Sequence, residues 1–507
     1  MFKKHPKGLI GASLANMGER YGFYTMMAIL VLFLQTKFNL DEEGASTIYS
    51  IFFAGIYALS LVGGIIADKT KKYKATIFSG LVMMAVGYAL LSVTSPTPVP
   101  KDNYSLMLFY TCAALFVIAL GNGLFKGNLQ ALVGQMYDNP KYSNLRDEGF
   151  SIFYMFINIG AIFAPPTAVA IRNWWVEKAG FQYNQNLPDL SNKLIESGGT
   201  EGLESFAEVA KEVGYTGSNY LEFAAQYLNI FTEGFHYAYN AAIVAMVISI
   251  VIFLVNKSKF PDPSANIKAA VSGDDVKMDA KEIKQRIMAL IAVYCVVIFF
   301  WFSFHQNGLT LTFFAKDYTD VSSVNINLGF VNMVGVELFQ SINPFFVVFL
   351  TPVIIAIFAW LRAKGKEPST PKKIAIGMLI AALAFVLMSL GSIGLPTRAE
   401  AALQGYTPDV TPWLLVGTYF ILTVAELFIS PLGLSFVSKV APPQLQGVMQ
   451  AGWLIATAVG NLALILGATF YKSMSMSATW LIFVSVCLLS MIMMLVMLKW
   501  LEKVSSK

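Results

Sequence analysis

Apolar stretches of about 20 residues recur roughly every 30 to 40 positions along the chain, and this recurrence limits the possible folds more than any other feature. A helix rises about 1.5 Å per residue, so each stretch can cross ~30 Å of hydrocarbon. Twelve spans are expected, near 8–36, 46–67, 75–95, 105–135, 149–171, 234–255, 286–312, 337–361, 373–393, 411–438, 444–469 and 476–500. Composition agrees. Of 507 residues 56% are hydrophobic and 13% charged, with mean hydropathy +0.59, where soluble domains carry about a quarter charged residues. The expected class is an all-α integral membrane protein.

An even number of crossings puts both termini on one side. With that side inside, the inner segments hold a large excess of the 36 Lys and Arg, the asymmetry of cytoplasmic loops. The net charge of +5 then reflects topology and gives no support to a nucleic-acid partner. Cys112, Cys295 and Cys487 fall within spans, without metal or disulfide spacing. The start "MFKKHPKG" has a basic flank, but no cleavage site follows it, so the first helix is read as retained. Two insertions divide the spans. Residues 256–285, rich in Pro, Ser, Gly and mixed charge, read as a cytoplasmic linker between an N-terminal six-helix bundle (1–171 and 234–255) and a C-terminal one (286–500), with 501–507 as a tail. Residues 172–233 read as an outer helical cap, since "GLESFAEVAKEV" and "NYLEFAAQYLNIF" have helical periodicity.

Arg20 and Lys126 are the two basic residues that lie deep within spans, away from their ends, and a charge at that depth is costly enough to mark a pathway. At 100° per residue, Asn16, Glu19, Arg20, Phe23 and Met27 share one stripe with Tyr24 on its shoulder, while Gly18 and Gly22 face a neighbouring helix. Glu19 and Arg20 either neutralise each other as structural glue or face a cavity. Lys126 has no carboxylate within a helical turn. In the second half Glu426 lies one turn before Ser430, and Pro431 leaves the Leu427 carbonyl without its helical partner, so a bend is expected there. The first half thus carries surplus cation and the second surplus anion. A cargo with carboxylate and ammonium ends, a free amino acid or short peptide, would be compensated between them. Tyr57, Tyr154, Asn158, Trp301, Gln306, Asn343 and Trp453 supply aromatic and amide groups around that space.

At these residues the chain resembles the proton-dependent oligopeptide transporter family of the major facilitator superfamily. "NMGERYGFY" is similar to its first-helix motif Glu-x-x-Glu-Arg-Phe-x-Tyr-Tyr, and "FYMFINIGA" to Phe-Tyr-x-x-Ile-Asn-x-Gly. "FWFSFHQNG", "FQSINP" and "VAELFISPLGLSFVSKVAP" resemble helices seven, eight and ten. The resemblance implies import of di- and tripeptides by alternating access through a multi-pass protein of the plasma (bacterial inner) membrane, without cofactor, coupled to protons. It implies a substrate site of Arg20, Tyr24, Tyr57, Lys126, Asn158, Trp301, Asn343, Glu426, Ser430 and Trp453, with Glu426 taking the amino terminus and the basic pair the carboxylate. "GGIIADKTKKYK" looks like the superfamily's loop between helices two and three, which makes Asp68 a gating latch. Aspartate opposes the dipole at its own helix C-terminus and suits another helix's N-terminus better.

The chain departs from the family at three positions tied to coupling. Asn16 stands for the motif's first glutamate, Met27 for an arginine and His305 for a helix-seven glutamate. Losing both members of a buried pair costs less than losing one. His305, with a reference pKa near ~6.5, either loads a proton or is a neutral, hydrogen-bonded ring. Glu19 and Glu426 are the other proton-coupling candidates. The rivals are an uncoupled facilitator, a carrier of amino acids, nitrate or another small anion, and a ligand-binding sensor. Among the histidines, His5 and His236 read as surface residues. No enzyme site and no particular oligomeric state is indicated by the residues.

Overall fold

The computed structural model describes residues 4–40, 42–184, 187–261, 279–320, 325–327, 332–334, 339, 341–404 and 406–505. Most of the expected linker, 262–278, lies outside the described residues. The first half contains α1 (Gly8–Phe38), α2 (Glu42–Thr70), α3 (Tyr73–Ser92), α4 (Tyr104–Met136), α5 (Arg146–Lys178), the short α6 (Leu187–Glu196) and α7 (Leu203–Glu212), and α8 (Tyr220–Asn256). The second contains α9 (Ala280–Phe304), α10 (Thr310–Asp317), α11 (Ile342–Ala363), α12 (Thr370–Gly391), α13 (Arg398–Gln404), α14 (Pro412–Leu427), α15 (Ser430–Val440), α16 (Gln446–Leu462), α17 (Leu464–Ser473) and α18 (Met476–Ser505). A small antiparallel hairpin, β1 (Asn325–Asn327) with β2 (Asn332–Val334), precedes α11 and was not expected from the sequence.

Among the described residues, eleven helical stretches are long and apolar enough to cross a membrane. The remaining expected span, 444–469, is divided at Ala463 into α16 and α17. Large apolar side chains such as Phe109, Phe116, Val244, Phe349, Leu383 and Val496 stay exposed on the outer helix faces. In water that surface would aggregate, whereas lipid covers it, as befits a multi-pass membrane protein.

Helices of the first half pack chiefly on one another, α1 on α5 and α8, and α4 on α2 and α3. Those of the second half do the same, α12 on α14 and α18, and α9 on α16 and α18. The two sets meet where α2 and α4 touch α16 and where α5 touches α11 and α15. His5 and Glu502, near the first and last described residues, lie at one end of the helices, linked by neighbouring contacts: Glu502 accepts from Ser369 at 2.5 Å, Thr370 reaches Asp147, and Glu148 sits 3.3 Å from His5.

Two differences from the sequence expectation have local causes. The cap drawn at 172–233 is smaller, because α5 runs on to Lys178 and α8 starts at Tyr220, absorbing "NYLEFAAQYLNIF". No proline interrupts the pattern, and Gly234, the one weak point, fits closely against Arg172. His5 and His236 are buried, not surface residues. His5 Nδ1 is 2.8 Å from Tyr137 Oη, and His236 bridges the Leu91 carbonyl (2.6 Å) and Lys37 Nζ (3.0 Å), because the ends of α1 and α3 pack against the middle of α8.

Gly18 and Gly22 let α1 approach α8 as their spacing suggests. A Cβ at Gly22 would stand 3.2 Å from the Ala242 carbonyl, and Ser249 Oγ donates to the Ala15 carbonyl at 2.5 Å. Gly22→Leu is therefore expected to destabilise the protein by about 1–3 kcal/mol through overpacking, with Gly22→Ala milder. Thermal unfolding in detergent, followed by tryptophan fluorescence, checks this order.

Candidate functional site

The charged stripe of α1 turns into the helix assembly. Arg20 Nε and Nη2 donate to the two Glu19 carboxylate oxygens at 2.5 and 2.6 Å, and both side chains are buried. Asn122 Nδ2 of α4 donates to Glu19 Oε1 at 2.8 Å. The guanidinium carbon stands 4.5 Å from the Phe23 ring centroid, which shields it further. Adjacent residues on a helix do not normally face each other, so this fork folds back on its own helix and closes as a neutral unit.

Lys126 lies one turn after Asn122 on the same α4 face. Its Nζ sits 4.6 Å from the Tyr57 ring centroid, and among the described residues it has no ion-pair partner.

On the opposite side the chain breaks where Pro431 led us to expect a bend. α14 stops at Leu427 and α15 starts at Ser430, so Glu426 occupies the last turn of α14. A carboxylate is disfavoured at a helix C-terminus, and neutral donors compensate it. Asn343 Nδ2 reaches Glu426 Oε2 at 2.7 Å and Thr423 Oγ1 at 3.0 Å, and the Tyr154 hydroxyl donates to Glu426 Oε1 from α5 in the other half. Asn158 donates to the Tyr154 carbonyl at 3.0 Å, one turn back on the same helix. Ser430 is buried beside this break.

His305 also marks a break. α9 ends at Phe304, a 3₁₀ turn covers His305–Gly308, and α10 begins at Thr310. Its Nδ1 is hydrogen-bonded to Asn461 Oδ1 of α16, and its ring stacks on Trp301 with centroids 4.8 Å apart and planes 16° from parallel. Trp301 meets Trp453 edge-on at 6.5 Å. Trp453 can sit there only because Gly433 has no side chain, since a Cβ would collide with the indole.

Two contacts link these groups further: the Tyr24 ring of α1, partly exposed, lies 5.9 Å from the Arg20 guanidinium carbon, and Tyr154 of α5 carries its hydroxyl across to Glu426 of α14. Asp68 stands apart, at the end that carries the termini. It accepts from the backbone N–H groups of Gly447 (3.1 Å) and Val448 (2.8 Å) in the first turn of α16, and from the Tyr73 hydroxyl. Gly64 allows this approach, since a Cβ there would lie 2.8 Å from the Gly447 backbone.

The model of the POT family matches residues 74–273 and 263–482. The chain belongs to the POT family. Membership places it among transporters and not enzymes. It is 29% identical over 489 residues to the peptide transporter YePEPT of Yersinia enterocolitica, covering 91% of this chain and 87% of that protein. It is 30% identical over 479 residues to the uncharacterized transporter YclF of Bacillus subtilis, with the same coverage. Dipeptide and tripeptide permease B of Salmonella typhimurium is 28% identical over 466 residues, covering 90% and 86%. Among solved structures, a peptide transporter POT in complex with sulfate superposes with TM-score 0.60 at 23% identity over 100% of this chain and 96% of that one. A POT family transporter in complex with 5-aminolevulinic acid gives 0.62 at 22% over 99% and 98%. The fold is the one these proteins share.

Sequence reasoning passed over Asn122, Asn461 and Thr423. Each was within reach of helical spacing: Asn122 precedes Lys126 by four, Asn461 follows Trp453 by eight, and Thr423 precedes Glu426 by three. Asn122→Leu deprives a buried carboxylate of a donor and is expected to cost about 1–3 kcal/mol. Asn122→Asp, which sets a second carboxyl against Glu19, should cost more. Thermal unfolding of the purified variants tests the order.

Proposed function

We propose that this protein imports di- and tripeptides across a bacterial inner membrane by alternating access, coupled to protons. In this reading the chain crosses twelve times as two six-helix bundles with both termini cytoplasmic, and α16 with α17 form one interrupted crossing. One observation carries the reading. After Glu19 and Arg20 have neutralised each other, Lys126 on one half and Glu426 on the other remain without an ionic partner among the described residues, with Tyr154 of the first half hydrogen-bonded to Glu426 of the second. Their signs match the two ends of a peptide. The names of YePEPT, a peptide transporter, and of the dipeptide and tripeptide permeases support the same cargo.

The peptide carboxylate meets Lys126, with Arg20 behind it, and the ammonium meets Glu426. Tyr57, Asn158, Asn343 and Ser430 complete the polar frame, while Trp301 and Trp453 border the side-chain space. Binding satisfies charges that water would otherwise have to reach, so the outer ends of the bundles can close over a compensated site. The Asp68 contact then breaks, and the inner ends part.

For coupling, the geometry favours Glu426 over the other two candidates. Glu19 is already engaged by Arg20 and Asn122, and the His305 ring is fixed between Asn461 and Trp301. A buried carboxyl with neutral donors alone exchanges a proton for a cation readily, because either one removes the uncompensated charge. The substrate ammonium is that cation.

In liposomes, Lys126→Ala and Glu426→Ala are each expected to lower labelled dialanine uptake by about 100-fold, the scale of a lost charge-assisted contact. Normal uptake by both variants would refute the peptide reading. Nitrate that competes with dialanine, together with full activity of Glu426→Gln, would favour an anion carrier instead. Acidifying the outside with no peptide gradient should make the wild type accumulate dialanine, and simple equilibration would identify an uncoupled facilitator.

A further inference from the structure

Asp68 is not the sole charge that joins the two halves at the termini-bearing end. Asp147, in the first turn of α5, places Oδ2 3.2 Å from Lys373 Nζ and 3.2 Å from Thr370 Oγ1, both in the first turn of α12. Its Oδ1 accepts from Ser435 of α15. Lys373 is 2% exposed, with Nζ 2.8 Å from Glu367 Oε1 and 4.3 Å from the Phe358 ring centroid. Glu367 in turn holds Arg362 through a fork of 2.6 and 3.1 Å. The result is a chain of alternating charge, Arg362, Glu367, Lys373, Asp147, whose first three members belong to the second half of the protein and whose last belongs to the first. Burial pushes the Glu367 carboxyl up, but its bonds to Arg362 and Lys373 outweigh this and leave it below the usual range. It is therefore ionised at neutral pH.

The division of this chain between the halves has a physical consequence. A buried ion pair is normally expensive to open, because each partner is left uncompensated. Here neither partner is. If the halves part, Lys373 retains Glu367, and Asp147 remains at the N-terminus of α5, where the helix dipole favours a carboxylate. We propose that Asp147 and Lys373 form a second cytoplasmic latch, which opens without stranding a charge and which, with Asp68, holds the inner gate shut. It rests on the topology of the transport reading. These are positioning residues for alternating access, and they touch no substrate.

The test is hydrogen–deuterium exchange of the full-length protein in nanodiscs without ligand, read at residues 446–454. The Gly447 and Val448 amides there are capped by Asp68 and have no contact with Asp147. Asp147→Asn, nearly isosteric, should weaken the second latch and raise exchange at this remote turn about five-fold, the scale of one partly screened charge contact. Lys373→Met should do the same, and the double variant should exchange less than the two effects combined predict, since both remove one contact. Wild-type exchange at 446–454 in Asp147→Asn, or full additivity, overturns the proposal. Should Lys373→Met fail to fold, Asp147→Asn alone decides. No substrate enters this readout, so a failure of dialanine uptake would refute the peptide reading and leave this one standing.

Discussion

A fixed charge withdrawn from water must meet an opposite charge or a set of donors, and the interior of this protein is organised by that requirement. Glu19 and Arg20 meet each other, and Asn122 takes up a remaining lone pair. Glu426 meets two neutral donors, one from each half of the molecule. Lys126 meets the face of Tyr57. The first arrangement is complete in itself, and the other two are not. The incomplete ones have opposite sign and stand on separate halves, so in the proposed reading a zwitterion would complete both at once. A simple anion would complete one and leave Glu426 as it was.

The same region of the second half is where helices fail to continue. α9 gives way at His305–Gly308, α14 at Phe428 and α16 at Ala463. The freed backbone groups are partly taken up by neighbours, as where the Tyr419 hydroxyl donates to the Asn307 carbonyl at 2.6 Å. By contrast α1, α4 and α5 of the first half run unbroken past the site, α5 even through Pro165 and Pro166. Irregular backbone at membrane depth is tolerated where protein encloses it or where it lines a cavity. The first half therefore offers a stiff wall bearing the basic residues, and the second a jointed one bearing Glu426, where rearrangement around a ligand costs least.

Features governed by local rules were legible in the sequence. Span positions followed from apolar length, the α1 faces from helical period, the break after Leu427 from Pro431, and the orientation of Asp68 from the dipole of its own helix. Features that depend on which helix lies opposite were not. Tyr154 reads as one more aromatic until α5 is set against α14, and the Asn461 partner of His305 emerges only when α16 packs on α9. The interruption at Ala463 has no proline to announce it. His5 and His236 were read as surface residues because their burial depends on chain segments distant in sequence.

The Asp68 and Asp147 contacts differ in what holds each carboxylate in place. Asp68 ends α2, where the dipole of its own helix repels it, and the N-terminus of α16 stabilises it through two backbone donors. Opening removes both donors, at roughly 1–3 kcal/mol for each charged hydrogen bond before water replaces it, and returns the carboxylate to an unfavourable helix end with Tyr73 as its remaining partner. Asp147 gives up Lys373, Thr370 and Ser435, but its own helix end favours it in either state. The Asp68 carboxylate is thus held against α16 at the expense of its own helix end, and Asp147 against α12 with the support of its own. In the import reading proposed above, contacts of both kinds would hold that face shut until a compensated site releases it.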